Sequence, residues 1–180
     1  MTHCYECGTK LIPRELEGEG IIPYCPHCQA YRFPIFSTAM STTLLSPDRK
    51  KALLIQQYGR NRNVLVAGYV NKGENAEHAV VREVQEEVGL KVVQMAFVKS
   101  TYFAPPNTLM LHFLTVVEDD DLSHMTAEVD KAQWYPLEQA KEAVLTPSLA
   151  QRFLFTALQK LERGEIVPVD VNTENLWPVE

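Results

Sequence analysis

Three glutamates near the middle of the chain, Glu83, Glu86 and Glu87, have the spacing that brings side chains together on one side of a helix. Neighbouring carboxylates on a helix repel one another, at a cost of about 0.2–0.5 kcal/mol per pair. These three also lie toward the negative end of the helix, where anions are disfavoured. A hard divalent cation would remove the repulsion, and Mg²⁺ commonly joins such carboxylates to the phosphates of a substrate. The alternative is an acidic face exposed to solvent, which is the usual meaning of a run of charges.

A helix over Ala76–Val88 is predicted to carry these glutamates. Asn75 suits the N-cap position, and Gly89 suits the left-handed residue that ends a helix. Four valines fall on one side of the helix and predict a face that packs on the core: Val80, Val81, Val84 and Val88. Gly68 and Glu74, at fixed offsets before the glutamates, and strand-like segments on both sides favour cation binding over a solvated face.

The segment GYVNKGENAEHAVVREVQEEVGL, residues 68–90, fits every fixed position of the pattern G-x5-E-x7-R-E-U-x-E-E-x-G-U, where U is a bulky aliphatic residue. It resembles the Nudix box, the signature of hydrolases that split a diphosphate linked to a nucleoside. The resemblance implies that Glu83 and Glu87, with the backbone carbonyl of Ala67, hold Mg²⁺ or Mn²⁺, and that Glu86 is a ligand or the general base. It gives structural roles to Gly68, Glu74 and Arg82, of which Arg82 orients the acidic side chains and is placed to pair with Glu86.

All four cysteines of the chain belong to two C-x-x-C pairs, Cys4–Cys7 and Cys25–Cys28, with seventeen residues between the pairs. This spacing predicts a four-cysteine zinc ribbon. A redox dithiol or a pair of disulfides would not explain two equal pairs with no cysteine left over, and no export signal points to an oxidising compartment. Because four thiolates fill a tetrahedral ion, this zinc is expected to stabilise the fold rather than to catalyse.

The charge of the ribbon segment does not favour a nucleic-acid partner. Between residues 1 and 36, the basic residues Lys10, Arg14 and Arg32 face four acidic ones: Glu6, Glu15, Glu17 and Glu19. The whole chain has a formal charge of -6. A surface for a polyphosphate backbone would need clustered basic residues, so we expect a scaffolding or dimer-forming ribbon.

The composition predicts a globular chain with one good core and a small appendage, since the 180 residues are 46% hydrophobic and 22% charged. Neither a membrane-spanning run nor an export signal is visible in the sequence, so a cytoplasmic location is expected. The predicted strands cover residues 38–45, 52–58, 64–66, 91–103, 108–118 and 131–135. Two more helices are predicted over residues 137–144 and 148–162.

Strands and helices mix without regular alternation, which predicts an α+β fold. By resemblance this is the Nudix α/β/α sandwich, in which helices cover both faces of a mixed sheet. The expected domains are a zinc ribbon over residues 1–36, a hydrolase domain over 37–164 and an extended C-terminal tail over 165–180.

A ribbon followed by a Nudix box resembles the NADH pyrophosphatase branch of the family. That branch carries S-Q-P-W-P-F-P-x-S-L-M, where this chain has STYFAPPNTLM at residues 100–110, and E-I-x-x-A-x-W-F, where it has EVDKAQWY at residues 128–135. The resemblance implies that Glu128 completes the metal site and is a further catalytic candidate. It also implies substrate contacts at Tyr31, Thr101, Tyr102, Phe103, Ala104, Pro105, Pro106, Asn107, Thr108 and Ala150.

The activity expected from this branch is metal-dependent hydrolysis of NAD(H) to AMP and nicotinamide mononucleotide, by a homodimer. An alternative is ADP-ribose or another nucleotide sugar, or FAD, because residues 57–60, Gln-Tyr-Gly-Arg, resemble the Q-Y-R segment of ADP-ribose pyrophosphatases. A further alternative is a regulator that senses a nucleotide without hydrolysing it. Nucleotide-capped RNA is another substrate that the family allows.

Overall fold

The computed structural model describes residues 1–171, which divide into two compact units at the Phe36–Ser37 boundary. The first unit is a three-stranded antiparallel sheet in the order β1-β2-β3. Its strands are β1 (Ile12–Leu16), β2 (Gly20–Cys25) and β3 (Ala30–Tyr31). Only three side chains in this unit are buried, Cys4, Cys25 and Arg32, so it has no apolar core of the ordinary kind.

The second unit is built on a seven-stranded mixed sheet in the order β10-β7-β8-β4-β5-β9, with β6 paired to β4. Its strands are β4 (Ser37–Leu45), β5 (Lys51–Gln56), β6 (Val66–Tyr69), β7 (Val92–Phe103), β8 (Thr108–Val117), β9 (Lys131–Pro136) and β10 (Val169–Asp170). The β4–β8 pair is parallel and the other pairs are antiparallel.

Helices cover both faces of this sheet: α1 (Ala76–Val88), α2 (Leu137–Ala143) and α3 (Leu149–Glu162). Side chains alternate along each strand, so Leu53 and Ile55 of β5 join the cluster that contains α1, whereas Ala52 and Leu54 join the cluster that contains α2 and α3. The α+β sandwich predicted from the sequence is confirmed.

Helix α1 has the predicted bounds, and three of the four valines of its predicted core face are buried, whereas Val81 is only half-buried at the edge of the cluster. Val80, Val84 and Val88 are fully buried in the core, and burial of one such side chain contributes about 1.5–3 kcal/mol. Gly89 takes the left-handed conformation, with φ 72°, and its N–H donates to the Gln85 carbonyl. Asn75 has the extended backbone of an N-cap, although its side chain makes no capping hydrogen bond.

Three predictions of secondary structure differ from the structure. The strand predicted over residues 52–58 ends at Gln56, so Gln57 and Tyr58 lie beyond it. The short strand predicted over residues 64–66 lies further along the chain, as β6, and Val64 makes only an isolated bridge with Ile55. The segment predicted as a tail contributes β10, which pairs with β7. The rest of the predicted tail, residues 172–180, lies outside the described residues. Within residues 1–171, no helix has the length and apolar character needed to cross a membrane.

Candidate active site

A cavity of about 770 Å³ opens in the second unit beside the C-terminal half of α1. Part of its floor runs across three neighbouring strands, because Tyr69 of β6 and Met110 of β8 both pair with Ala39 of β4. The site residues predicted from the sequence that line it are Ala67, Gly68, Arg82, Glu83, Glu87, Phe103, Pro106, Thr108 and Glu128.

Glu87 is the most unusual group in the cavity wall, since its side chain is charged at neutral pH in water and yet only 4% of the residue is exposed. Its Oε1 accepts a hydrogen bond from Gln57 Nε2 at 2.8 Å. Among the described residues, nothing donates to its buried Oε2. Burial, helped by the charges of Glu83, Glu128 and Glu86, raises the pKa of this carboxyl to about 7.

Arg82 connects the acidic residues of the site. Its Nε and Nη2 hold both carboxylate oxygens of Glu74 at 2.7 and 3.0 Å, and this pairing lowers the pKa of Glu74 to about 2. Its Nη1 reaches Glu83 and Glu86, each at 2.8 Å, and Nη2 also donates to the carbonyl of Tyr69 at 3.0 Å. The pair with Glu86 predicted from the i, i+4 spacing is present, and Arg82 fixes α1 to the end of β6.

Strand β6 brings backbone rather than side chain against the glutamates. Ala67 and Gly68 pair with Ser41 and Met40 of β4, which holds this stretch of backbone in the cavity wall. A Cβ atom added at Gly68 would overlap the carboxylate of Glu83. Glycine at this position therefore allows the close approach of strand and carboxylate, and a larger residue would force the Glu83 carboxylate to move.

Glu128 reaches the cavity from outside the box because its segment is tied to the end of α1. The hydroxyl of Thr126 donates to the Glu86 carbonyl at 2.7 Å, and the Thr126 N–H donates to the Glu87 carbonyl at 3.3 Å. Glu128 itself is exposed and lines the cavity. Glu86 has a side chain that is 50% exposed and, within the described chain, lies outside the cavity lining.

The donor types of these residues suit a hard divalent cation, although within residues 1–171 only the four cysteines already lie close enough together to share an ion. The cavity offers carboxylate and carbonyl oxygens, which are the donors that Mg²⁺ and Mn²⁺ take. Because Glu87 Oε2 is buried without a partner, it would otherwise carry an uncompensated desolvation cost. The residues that could hold the ion are Glu83, Glu87, Glu128 and the carbonyl of Ala67.

The structure places only some of the predicted substrate-contact residues in the cavity wall. Phe103, Pro106 and Thr108 line the cavity, whereas, among the residues described, Thr101, Tyr102, Ala104, Pro105, Asn107 and Ala150 do not. Tyr102 projects from the opposite side of β7 to Phe103, and its hydroxyl donates to Asn107 Oδ1. Tyr31 belongs to the first unit, where its hydroxyl donates to the carbonyl of Glu15 at 2.7 Å.

Half of the lining was not predicted as part of the site: Ala39, Gln57, Tyr58, Tyr69, Asn71, Met110, Ala127, Asp130 and Leu149. Gln57 and Tyr58 had a usable signal, because they belong to the segment over residues 57–60 that resembles the Q-Y-R segment of ADP-ribose pyrophosphatases. Ala39 and Met110 can be recognised as lining residues only when the register of β4 and β8 is known. Asp130 has no signal in the local sequence.

The four cysteines of the first unit come together as predicted. Their sulfur atoms all lie within 4.8 Å of one another, a set that fits a tetrahedral zinc ion. Arg32 is buried beside them and donates from Nε to Cys4 Sγ at 3.1 Å and from Nη2 to Glu6 Oε2 at 2.6 Å. Burial raises the pKa of Cys4, but the hydrogen bonds from Arg32 and the backbone lower it to about 6, which favours the thiolate that zinc requires.

Comparison with known proteins shows that most of the second unit matches a known domain. The model of the NUDIX domain matches residues 37–155. A NAD-capped RNA hydrolase NudC of Pseudomonas aeruginosa (strain LESB58) is 30% identical over 149 residues, which are 83% of this chain and 51% of that protein. The chain spans about half the length of the curated relatives it matches.

Two solved structures share the fold at low sequence identity. A NUDIX hydrolase from Nitrosomonas europaea has a TM-score of 0.63 and 18% identity, covering 92% of this chain and 93% of its own. The NUDIX domain of Shewanella oneidensis NrtR, crystallised with ADP ribose, has a TM-score of 0.61 and 17% identity, covering 77% of this chain and 94% of its own.

Proposed function

The chain belongs to the Nudix family, as its box predicts, and on that premise we propose that it hydrolyses the diphosphate bond of a nucleoside diphosphate derivative. The observation that carries the proposal is Glu87, a buried carboxylate with one unpartnered oxygen, which lines a cavity together with Glu83 and Glu128. NAD(H) is the proposed substrate, with AMP and nicotinamide mononucleotide as products. Relatives named as hydrolases of NAD-capped RNA support this choice.

The proposed ligands of the catalytic ion are Glu83, Glu87, Glu128 and the carbonyl of Ala67. When bound, Mg²⁺ or Mn²⁺ neutralises phosphate charge and lowers the pKa of water. The protein holds Glu83 in place through Arg82, and it excludes water around Glu87 by burial. One water oxygen attacks phosphorus while the bond to the bridging oxygen breaks, and the water proton passes to one carboxylate among Glu83, Glu86, Glu87 and Glu128.

The apolar part of the cavity is the proposed site for the base or the nicotinamide ring. Phe103 and Tyr58 both line the cavity and supply aromatic rings there. Stacking of a base on an aromatic side chain is worth about 1–3 kcal/mol. Pro106 and Thr108 would limit how the ring fits beside Phe103.

We propose that residues 1–36 form a ribbon with a structural zinc ion and that residues 37–164 form the hydrolase domain. The support for zinc is the set of four close sulfur atoms in a unit whose only buried side chains are Cys4, Cys25 and Arg32. Metal binding would therefore supply most of the free energy that folds this unit.

ADP-ribose is the second candidate substrate. Gln57 and Tyr58, from the segment that resembles ADP-ribose pyrophosphatases, both line the cavity. A similar fold also binds ADP ribose in the Shewanella oneidensis domain. The diphosphate at the reacting centre is common to both substrates, so the same carboxylates would serve either one.

The test is chromatographic product analysis with NADH, NAD⁺, ADP-ribose, FAD, diadenosine compounds and NAD-capped RNA, each with Mg²⁺ and with Mn²⁺. Wild type is expected to release AMP from NADH, and Glu87→Gln to lose about 10²-fold or more in kcat while remaining folded. Glu77→Gln is the matched control, because Glu77 is an exposed carboxylate on the same helix. Near-normal turnover by Glu87→Gln refutes the proposal, and binding without any turnover in wild type assigns the chain to nucleotide sensing instead.

A further inference from the structure

We propose that Gln57 is a positioning residue, which holds Glu87 so that one carboxylate oxygen is occupied and the other stays free for the catalytic cation. The inference rests on the proposed function of the cavity and assigns a role that the Nudix box does not contain. Three features of the structure carry it: the hydrogen bond to Glu87, the turn that holds Gln57, and the tether of that turn to the segment of Glu128.

The first feature is the contact between the two side chains. Gln57 Nε2 donates to Glu87 Oε1 at 2.8 Å, and Glu87 Oε2 remains buried without a donor in the described structure. A carboxylate with one oxygen engaged by an amide cannot rotate freely about its terminal torsion. The free oxygen is therefore held in one direction, which reduces the ordering required when an ion binds.

The second feature is the backbone of the turn that carries Gln57. Strand β5 ends at Gln56, and the next residues include Tyr58 with φ 60° and Gly59 with φ 65°. The left-handed region is unfavourable for a tyrosine, and such backbone persists where its surroundings hold it. The turn is closed locally by the Arg60 N–H, which donates to the Gln57 carbonyl at 3.2 Å, and contacts from a distant segment hold it as well.

The third feature is Asp130, which supplies those contacts from both sides of the turn. Its Oδ2 accepts from the Gly59 N–H at 2.7 Å, and its own N–H donates to the Gln56 carbonyl at 2.8 Å. Asp130 is only two residues beyond Glu128, so the segment that brings Glu128 to the cavity also fixes the turn that orients Glu87. The two proposed metal ligands are thus coupled through Gln57 and Asp130.

The experiment compares Gln57→Met, which keeps the length of the side chain and removes the donor, with Gln56→Met. Gln56 is the matched control because its amide donates to Asn63 at 2.8 Å and not to Glu87. Mn²⁺ affinity is measured by electron paramagnetic resonance, and kcat and KM with the best substrate at saturating Mn²⁺. Gln57→Met should bind Mn²⁺ about 10–100-fold more weakly and lose kcat, with KM for the substrate changed less than kcat.

A second pair of variants tests the turn without altering Gln57. Asp130→Ala releases the Gly59 N–H and should weaken Mn²⁺ binding, whereas Asp130→Asn retains an oxygen acceptor and should restore most of it. If Gln57→Met does not fold, as judged by circular dichroism and urea unfolding, the Asp130 pair decides the question alone.

The outcomes separate this inference from the proposed function. Active wild type with unchanged Mn²⁺ affinity and kcat in Gln57→Met overturns the positioning role and leaves the hydrolase proposal intact. A change in KM alone overturns it as well, because Gln57 would then contact the substrate. Wild type that neither binds Mn²⁺ nor hydrolyses any substrate refutes the proposed function itself.

Discussion

At the scale of single residues, the largest destabilising contributions at the site come from polar groups that are buried or crowded. A buried carboxylate oxygen without a partner costs about 1–3 kcal/mol or more, and Glu87 Oε2 is such an atom within the described chain. Arg82 relieves the crowding of Glu83 and Glu86 but does not reach Glu87. The uncompensated group is therefore the one expected to gain most from a bound cation.

Substitution of Gly68 by alanine should weaken cation binding although no proposed ligand residue is replaced. The added Cβ would overlap the carboxylate of Glu83, which must then move. We expect Mn²⁺ affinity to fall about tenfold or more, comparable to the loss of an outer contact. Electron paramagnetic resonance measures this, and the double variant Gly68→Ala with Glu83→Asp tests the cause, because the shorter acid relieves the overlap. Full affinity in the single variant would contradict the expectation.

His112 should make the stability of the fold sensitive to acid. It is fully buried in β8, stacks on Phe153 at 4.4 Å between ring centroids, and has Nε2 3.2 Å from Thr43 Oγ1. Burial lowers its pKa from 6.5 to about 3, so the unfolded chain binds this proton more readily than the folded one. Stability is therefore complete above pH 6.5 and decreases as the pH falls toward 3, by up to about 1.4 kcal/mol per pH unit.

Urea unfolding of His112→Gln across this pH range measures the effect. In the variant, the slope of unfolding free energy against pH should be smaller by up to about 1.4 kcal/mol per pH unit, which corresponds to one bound proton. His124→Gln is the control, because His124 is exposed. Parallel curves for wild type and His112→Gln would show that this histidine is not responsible.

At the scale of helices and strands, the features that depend on residues close together in the chain were predicted from the sequence. The bounds of α1 follow from its valine face and from Gly89, so they could be read from the sequence. Strand β6 lies further along the chain than predicted because Gly68 enters the sheet by pairing with Met40, which no local pattern indicates. The contact between Asp130 and the turn after β5 was missed for the same reason, since a turn and a distant loop meet only in the folded chain.

Ser148 should contribute measurably to the stability of α3. Its backbone is extended, and its hydroxyl accepts from the N–H of Gln151 at 2.9 Å, which is the capping arrangement. Ser148→Ala should lower the free energy of unfolding by about 1 kcal/mol, and Ser148→Asp should restore most of it. Urea unfolding measures both, with Ser123→Ala in an exposed loop as the control. Equal stability of Ser148→Ala and wild type would exclude a capping role.

At the scale of the whole molecule, the two units differ in what stabilises them. The second unit has two clusters of buried apolar side chains, one on each face of its sheet. In the first unit, buried side chains are confined to two cysteines and Arg32. The cysteine spacing was enough to predict this cluster of four sulfur atoms, but the buried arginine beside it was not predicted, because its burial depends on Cys4 and Glu6 together.

Removal of the proposed zinc ion should therefore unfold residues 1–36 selectively. After treatment with a strong chelator, limited proteolysis should cut within this segment while residues 37–171 stay protected. Arg32→Gln should release zinc to a chromogenic chelator about tenfold faster or more, because it removes a charged donor from Cys4. Arg14→Gln is the control, since Arg14 lies over the Tyr24 ring, at 4.3 Å, rather than on a thiolate. Equal release rates in the two variants would contradict the role of Arg32.

The make-up of the cavity has a consequence for anyone who wishes to redirect the proposed activity by laboratory evolution. Its acidic side joins Gly68, Arg82 and Glu83 so closely that almost any mutation there disturbs several partners at once. Phe103, Met110 and Leu149 line the same space with hydrocarbon and belong to no such charged network. Libraries confined to those three positions should yield new substrate preferences at far less risk to turnover.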